Sequence, residues 1–168
     1  VRRLSSYSEY LDFLKANREE SEELFYDALI GVTSFFRDKD AFAVLAEKGL
    51  PDLLHGEQRE RLRVWVPACS TGEEAYTIAV LIREALEQHG LSMAVSIFAT
   101  DVNGESISRA RKGEFPASAA ADIPGPYLNR WFERHNDVLR VKKTIRDMLV
   151  FSVQNVMEVR ARGADYVF

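Results

Sequence analysis

The chain has 168 residues, 46% hydrophobic and 29% charged, and a formal net charge of -4. That is one domain's worth of soluble globular protein, without the positive footprint of a nucleic-acid binder. No apolar run approaches the roughly 20 residues that span a bilayer, so the chain is not expected to be membrane-embedded.

No signal-peptide core follows Val1, and a start without methionine is expected of a piece of a longer chain. The single cysteine, Cys69, excludes an internal disulfide and fits a reducing cytoplasm. His55, His89 and His135 stand apart from cysteines and carboxylates at ligand spacing, so no metal site is expected.

Residues 4–30 read as helical. Leu4, Tyr7, Leu11 and Leu14 recur at spacings of three and four. A second helix opens near Ser21-Glu22-Glu23-Leu24, with Ser21 or Asn17 as N-cap and Leu24, Phe25, Ala28 and Leu29 on its apolar face. The acidic run Glu19 to Glu23 reads as a solvated helix face in preference to a partner-binding patch. After a break at Gly31-Val32-Thr33, a helix from Asp38 or Asp40 carries Phe42, Leu45 and Ala46 and should stop at Gly49, with Pro51 just beyond.

The composition changes after the polar stretch His55 to Arg61. Leu62-Arg63-Val64-Trp65-Val66 is a short β-rich run, followed by the small-residue turn Pro67-Ala68-Cys69-Ser70-Thr71-Gly72. Residues 73–89 have helical spacing, with Ala75, Ile78, Ala79, Ile82 and Leu86 on one side. Val95 to Thr100 is a second strand closed by Asp101, and the helix after it carries Ile107 and Ala110 and stops at Gly113. Strand, turn, helix and strand make a βαβ unit whose strands lie parallel. The expected fold is α/β, preceded by a small helical module, with residues 1–55 as module and linker and 56–168 as the sheet domain. Tyr127 to Arg134 reads as a helix, and Val138 to Val141 and Met148 to Val153 as strands.

Three places carry candidate chemistry. In parallel sheets, ligands bind beyond the carboxyl ends of the strands, which is where the turn 67–72 falls. It holds one glycine, so the G-x-G-x-x-G fingerprint for a dinucleotide is absent. Glu73 and Glu74 at the helix start repel phosphate and suit a cationic ligand, or they complement the helix dipole. Asp101 is placed either to accept ribose hydroxyls or to cap the next helix. In Thr33-Ser34-Phe35-Phe36-Arg37-Asp38, the phenylalanines are candidate core anchors. The fork of Arg37 suits a carboxylate, although residue types alone favour a surface pairing with Asp38 or Asp40.

Read as motifs, Ile30 to Asp38, Val64 to Tyr76 and Ile97 to Asp101 resemble three successive segments of the chemotaxis protein methyltransferases (CheR-type). Arg109 to Pro116 and Phe151 to Val156 are similar to later segments of that family. The resemblance implies a Rossmann-like, S-adenosylmethionine-dependent methyltransferase sheet behind a helical N-terminal part. It implies cofactor contacts from Thr33, Arg37, Glu74, Asp101, Asn155 and Val156, with Arg37 as the catalytic residue. It further implies methyl transfer to glutamate carboxylates of a methyl-accepting chemotaxis receptor or similar signalling protein in the cytoplasm, with S-adenosylhomocysteine as product.

Gly31 stands where many members have Asn, and Val156 where leucine is usual. After Asn155 the family's Asp-Pro-Pro-Phe-like stretch is replaced by Glu158-Val159-Arg160-Ala161-Arg162-Gly163. The resemblance runs from about Leu24 to Val156, and Asp165 to Phe168 looks like the strand before the family's Cys-Arg-Asn segment. The sheet is therefore expected to be incomplete and the chain a fragment lacking the family's later strands and receptor-tethering subdomain. The alternatives are a non-catalytic S-adenosylmethionine-binding sensory or scaffold module and, less well supported by the single-glycine turn, a nucleotide-binding oxidoreductase.

Overall fold

A computed structural model describes residues 6–28, 31–55, 60–156 and 166–167. Leu4 and Leu29 of the expected apolar stripes, and the stretch Glu158 to Gly163, lie outside them. The chain divides into two compact units, Val1–Gly31 and Val32–Phe168. The change of composition near residue 55 falls inside the second.

The first unit holds helices α1 (Tyr7–Ala16) and α2 (Arg18–Ala28). Ser6 opens α1 by accepting the Glu9 N–H at 3.2 Å. Asn17 ends one helix and starts the other: its own N–H reaches the Leu14 carbonyl, while its side chain accepts the Glu20 N–H at 3.4 Å. Of the two expected caps, Asn17 therefore holds the post. Ser21 lies inside α2 and donates to the Leu14 carbonyl at 2.7 Å. Glu19, Glu22 and Glu23 are exposed, as a solvated face requires.

The second unit begins with α3 (Lys39–Val44), which widens into one π turn (Leu45–Gly49) and continues as α4 (Leu50–His55). The expected stop at Gly49 is thus corrected. The Leu50 N–H reaches back to the Leu45 carbonyl, and Pro51, which has no N–H to lose, sits at the start of the next turn. Burial of Leu50 and Leu54 outweighs the stop signal.

Strand β1 (Arg61–Pro67), helix α5 (Glu73–Gln88), strand β2 (Ala94–Asp101) and helix α6 (Gly104–Lys112) follow as the sequence predicts. Gly113 closes α6 at φ 62°, where a side chain would meet Arg146 and Tyr76. Next come β3 (Glu114–Pro116), a 3-10 turn (Ala117–Asp122), α7 (Gly125–Trp131), β4 (Phe132–His135), β5 (Val138–Val141), α8 (Lys143–Arg146), β6 (Leu149–Val153) and β7 (Tyr166–Val167).

Strands β6, β2, β1 and β7 form a parallel sheet in that order. Registers run Val66 to Ala99 to Phe151 and Trp65 to Phe98 to Val150. The first of these rows is buried, along with Leu62, Val64 and Ile97. Against them packs α5, which is buried nearly all round because its apolar residues cover more than one face. β1 has β2 on one side and the late strand β7 on the other, so strand order reverses beside β1. A crevice outside its carboxyl end is where such sheets receive ligands.

A second sheet, antiparallel in the order β3-β5-β4, is inserted between β2 and β6. The expected helix over Tyr127–Arg134 stops at Trp131, and Phe132 begins β4. Two tertiary anchors set that boundary. The buried Glu84 of α5 accepts from Trp131 Nε1 at 2.5 Å and, through both of its oxygens, from Arg130 Nη1 at 3.1 Å, and Phe132 packs edge-on to Phe35. A left-handed Asn136 at φ 52° then turns the hairpin into β5.

Candidate functional site

The turn after β1 is built from unusual backbone. Ala68 (φ 53°), Ser70 (φ 48°) and Gly72 (φ 99°) are all left-handed. For the two non-glycine residues this costs about 1–2 kcal/mol each. Hydrogen bonds from the flanking strand end hold them there: Cys69 N–H to the Thr100 carbonyl at 3.0 Å, and Ser70 N–H to Asp101 Oδ2 at 2.8 Å. Gly72 is required twice over, by its φ and by closeness, since a Cβ there would sit 3.0 Å from the Ala110 methyl and 3.3 Å from the Phe151 ring. No side chain caps α5, whose first N–H groups stand at the turn.

Asp101 is half-buried at the end of β2. Besides Ser70, it accepts the Asn103 N–H at 2.8 Å through its other oxygen. The capping of α6 belongs to Asn103, whose side chain accepts from Glu105 and Ser106 at 2.9 and 3.0 Å. Of the two openings left for Asp101 by the sequence, the helix cap is therefore closed. Each carboxylate oxygen retains acceptor capacity beyond the one bond it makes. Asn155 and Val156 follow directly after β6, and the neighbouring Gln154 N–H donates to the Asp101 carbonyl at 2.9 Å. These three expected residues thus fall at or just beyond the carboxyl ends of the adjacent strands β2 and β6.

The segment Val32 to Asp38 meets α5 at Thr77. Phe35 and Phe36 are both buried. Phe35 packs edge-on to Phe115 at 4.8 Å, and Phe36 stacks on Tyr127 at 5.4 Å, so both act as anchors. Phe36 itself is left-handed at φ 50°, an outlier for a bulky side chain, and its N–H donates to Thr77 Oγ1 of α5 at 3.2 Å. Thr33 is half-buried and Arg37 exposed. Arg37 Nη1 donates to the Val32 carbonyl at 2.5 Å, and among the described residues no ion pair joins it to Asp38 or Asp40.

Carboxylates gather at this end of the sheet. Burial, and then the charge of Asp38, push the Glu74 carboxyl up from its usual value. Burial also raises Glu73, opposed by the hydrogen bond it accepts from Thr71 at 2.6 Å. The Cys69 thiol reports all of this: burial first, then Asp101, Glu74 and Glu73, push it up to about 12. These carboxylates come from α5, the end of β2 and the segment before α3.

Such a donor set fits a ligand carrying positive charge and ribose hydroxyls, and it does not fit a pyrophosphate. S-adenosylmethionine, with a sulfonium, an ammonium and no phosphate, matches that chemistry. Sequence reasoning missed Ser70, Asn103 and Thr77. The Asp-x-Asn-Gly wording at 101–104 was the available sign for Asn103, whereas the other two depend on contacts 31 and 41 residues apart.

With its thiol held neutral, Cys69 serves as a small packing group. Cys69→Ala is expected to retain most activity, and alkylation of the folded protein at pH 7–8 should be slow. Unfolded thiols ionise near 8.5. Between there and about 12 the folded state retains a proton that the unfolded state has lost, so this thiol makes stability fall as pH rises. Cys69→Ala should flatten that alkaline limb in pH-dependent melting. Rapid alkylation at neutral pH, or abolished turnover with intact cofactor affinity, would contradict the assignment.

A parallel sheet with a helical N-terminal part, whose strand order reverses beside β1, defines an α/β domain of the Rossmann-like class. Residues 31–168 match the family described as "CheR methyltransferase, SAM binding domain", and the chain belongs to that family. The α/β fold is accordingly an incomplete S-adenosylmethionine-dependent methyltransferase fold. The chain is 40% identical over 158 residues to an uncharacterized 104.1 kDa protein of Rhodobacter capsulatus, covering 94% of this chain and 17% of that protein. It is 32% identical to the chemotaxis protein methyltransferase of Borreliella burgdorferi, over 94% of this chain and 58% of the relative. Against that of Salmonella typhimurium the values are 34%, 92% and 53%. The chain thus spans little more than half the length of these two named methyltransferases.

Proposed function

We propose that the protein transfers a methyl group from S-adenosylmethionine to glutamate side-chain carboxylates of chemotaxis receptors or similar signalling proteins in the cytoplasm. The observation that carries this reading is the convergence of Glu73, Glu74, Asp38 and Asp101 around a turn with no phosphate cradle, in a domain of this family. No helix among the described residues is long and apolar enough to cross a membrane, and none of their His, Cys, Asp or Glu residues group as a metal site.

When bound, the cofactor supplies an electrophilic methyl group on a sulfonium. Asp101 accepts its ribose hydroxyls. Glu74 faces its positive charge, and Thr33, Asn155 and Val156 line the remaining contacts. The acceptor carboxylate, with an ordinary pKa of about 4.3, is already ionised at neutral pH. No general base is needed, and the site's task is to orient and desolvate the pair. Arg37 aligns the acceptor carboxylate through its fork. It stays protonated and so takes no proton.

The test uses the intact protein that carries this chain. Calorimetry should show binding of S-adenosylhomocysteine and none of NAD, and receptor peptides should acquire base-labile methyl esters. Binding without methyl transfer to any receptor peptide would leave the non-catalytic module as the reading. Binding of NAD alone would discard both.

A further inference from the structure

We propose that Thr77 is a positioning residue for this reaction: its hydroxyl holds Phe36 in a left-handed conformation and thereby sets where Arg37 stands. The inference rests on the proposed role of Arg37. Three polar or charged side chains are buried among the described residues: Thr77, Glu84 and Thr100. Two are explained by the side chains they fasten. Glu84 fastens Arg130 and Trp131 to α5, and Thr100 accepts Trp65 Nε1 at 3.0 Å.

Thr77 differs, because its hydroxyl reaches the main chain of another segment, at the left-handed Phe36. It donates to the Glu73 carbonyl at 2.8 Å, the usual back-bond of a helical threonine, and accepts the Phe36 N–H at 3.2 Å. Valine would fill the same space inside the apolar α5, so packing alone does not call for a hydroxyl.

The geometry gives that hydroxyl a specific consequence. The Phe36 N–H fixes the plane of the peptide before Phe36. The stack on Tyr127 and the edge contact with Phe42 fix its Cα–Cβ direction. The torsion between those two directions is φ, so the two anchors together hold it at 50°. Release of the N–H lets φ relax towards negative values while the ring stays packed, and the chain then leaves Phe36 in a different direction. Arg37 is the next residue. Because Thr77 lies one helical turn beyond Glu73, the same bond registers Arg37 against the first turn of α5, which carries Glu74.

In the intact protein, Thr77→Val should lower kcat by roughly ten- to a hundredfold, the scale of a displacement of about 1 Å. The Kd for S-adenosylhomocysteine should stay within about threefold, since the loss falls on the chemical step. Thr77→Ser, which keeps the hydroxyl, should recover most of kcat, and the Phe36 amide should exchange faster in Thr77→Val than in Thr77→Ser. Thr77→Ala provides the same comparison if the valine variant does not fold. A merely structural threonine would change melting temperature without this split between kcat and Kd. Normal kcat in both hydroxyl-free variants beside a crippled Arg37→Ala would overturn the inference alone. Normal kcat in Arg37→Ala would overturn the reading on which it rests.

Discussion

Arg37→Ala is expected to lower methyl transfer about 10²–10³-fold, the range for losing one preorganised hydrogen-bond donor at a reacting group, while leaving the fold intact. Its side chain is exposed, and the bond it makes to the Val32 carbonyl is local, so stability should fall by no more than about 1 kcal/mol. The rival expectation of a surface pair with Asp38 or Asp40 has lost its footing, since neither carboxylate pairs with the guanidinium. Asp38 instead acts on Glu74. Cofactor affinity should change little: a sulfonium and a guanidinium repel each other unless a carboxylate lies between them, and the incoming glutamate supplies one. Arg37→Lys keeps the charge but loses the planar fork, so it should rescue little of the rate. Turnover and S-adenosylhomocysteine affinity measured for both substitutions decide the matter. Near-normal turnover in Arg37→Ala would remove this arginine from the active site.

The sequence made the βαβ unit legible because its signals are local. The β-branched run of β1, the small-residue turn, the helical period of α5 and the acid closing β2 need no knowledge of distant contacts. The elements that escaped are those fixed from afar. α7 gives way to β4 because Trp131 and Arg130 find Glu84, 47 and 46 residues earlier, and β3 is too short to carry a period of its own. Gly49 and Pro51 spelled a helix end, yet a π turn carried the helix through so that Leu50 and Leu54 reached the core. At the site, residue types pointed to Asp101 and Glu74. The left-handed Ala68, Ser70 and Phe36 did not announce themselves, since nothing in an alanine or a phenylalanine asks for positive φ. Their conformations are imposed by partners on other strands and helices.

Asp101→Ala should weaken S-adenosylhomocysteine binding by about 1.5–3 kcal/mol, the worth of a hydrogen bond to a charged group, which is about 10- to 140-fold in Kd. The side chain has a second duty that this number alone does not separate. It holds the Ser70 and Asn103 amides, each at 2.8 Å, and so braces a turn with three left-handed residues. Loss of the carboxylate therefore weakens the fold as well as the contact, and the melting temperature without ligand should fall with it. Asp101→Asn keeps one carbonyl oxygen for one of the two amides and should be intermediate in both respects. A ligand lacking the ribose hydroxyls separates the two duties. If Asp101 accepts from the ribose, a 2′,3′-dideoxy analogue of S-adenosylhomocysteine binds the wild-type protein more weakly and loses less affinity on Asp101→Ala than the parent ligand does, so the two losses fail to add. If Asp101 only braces the turn, Asp101→Ala weakens both ligands by the same factor. Calorimetry on the four combinations gives the coupling directly, and strict additivity would take the ribose away from Asp101 and leave it as the brace between β2 and the turn after β1.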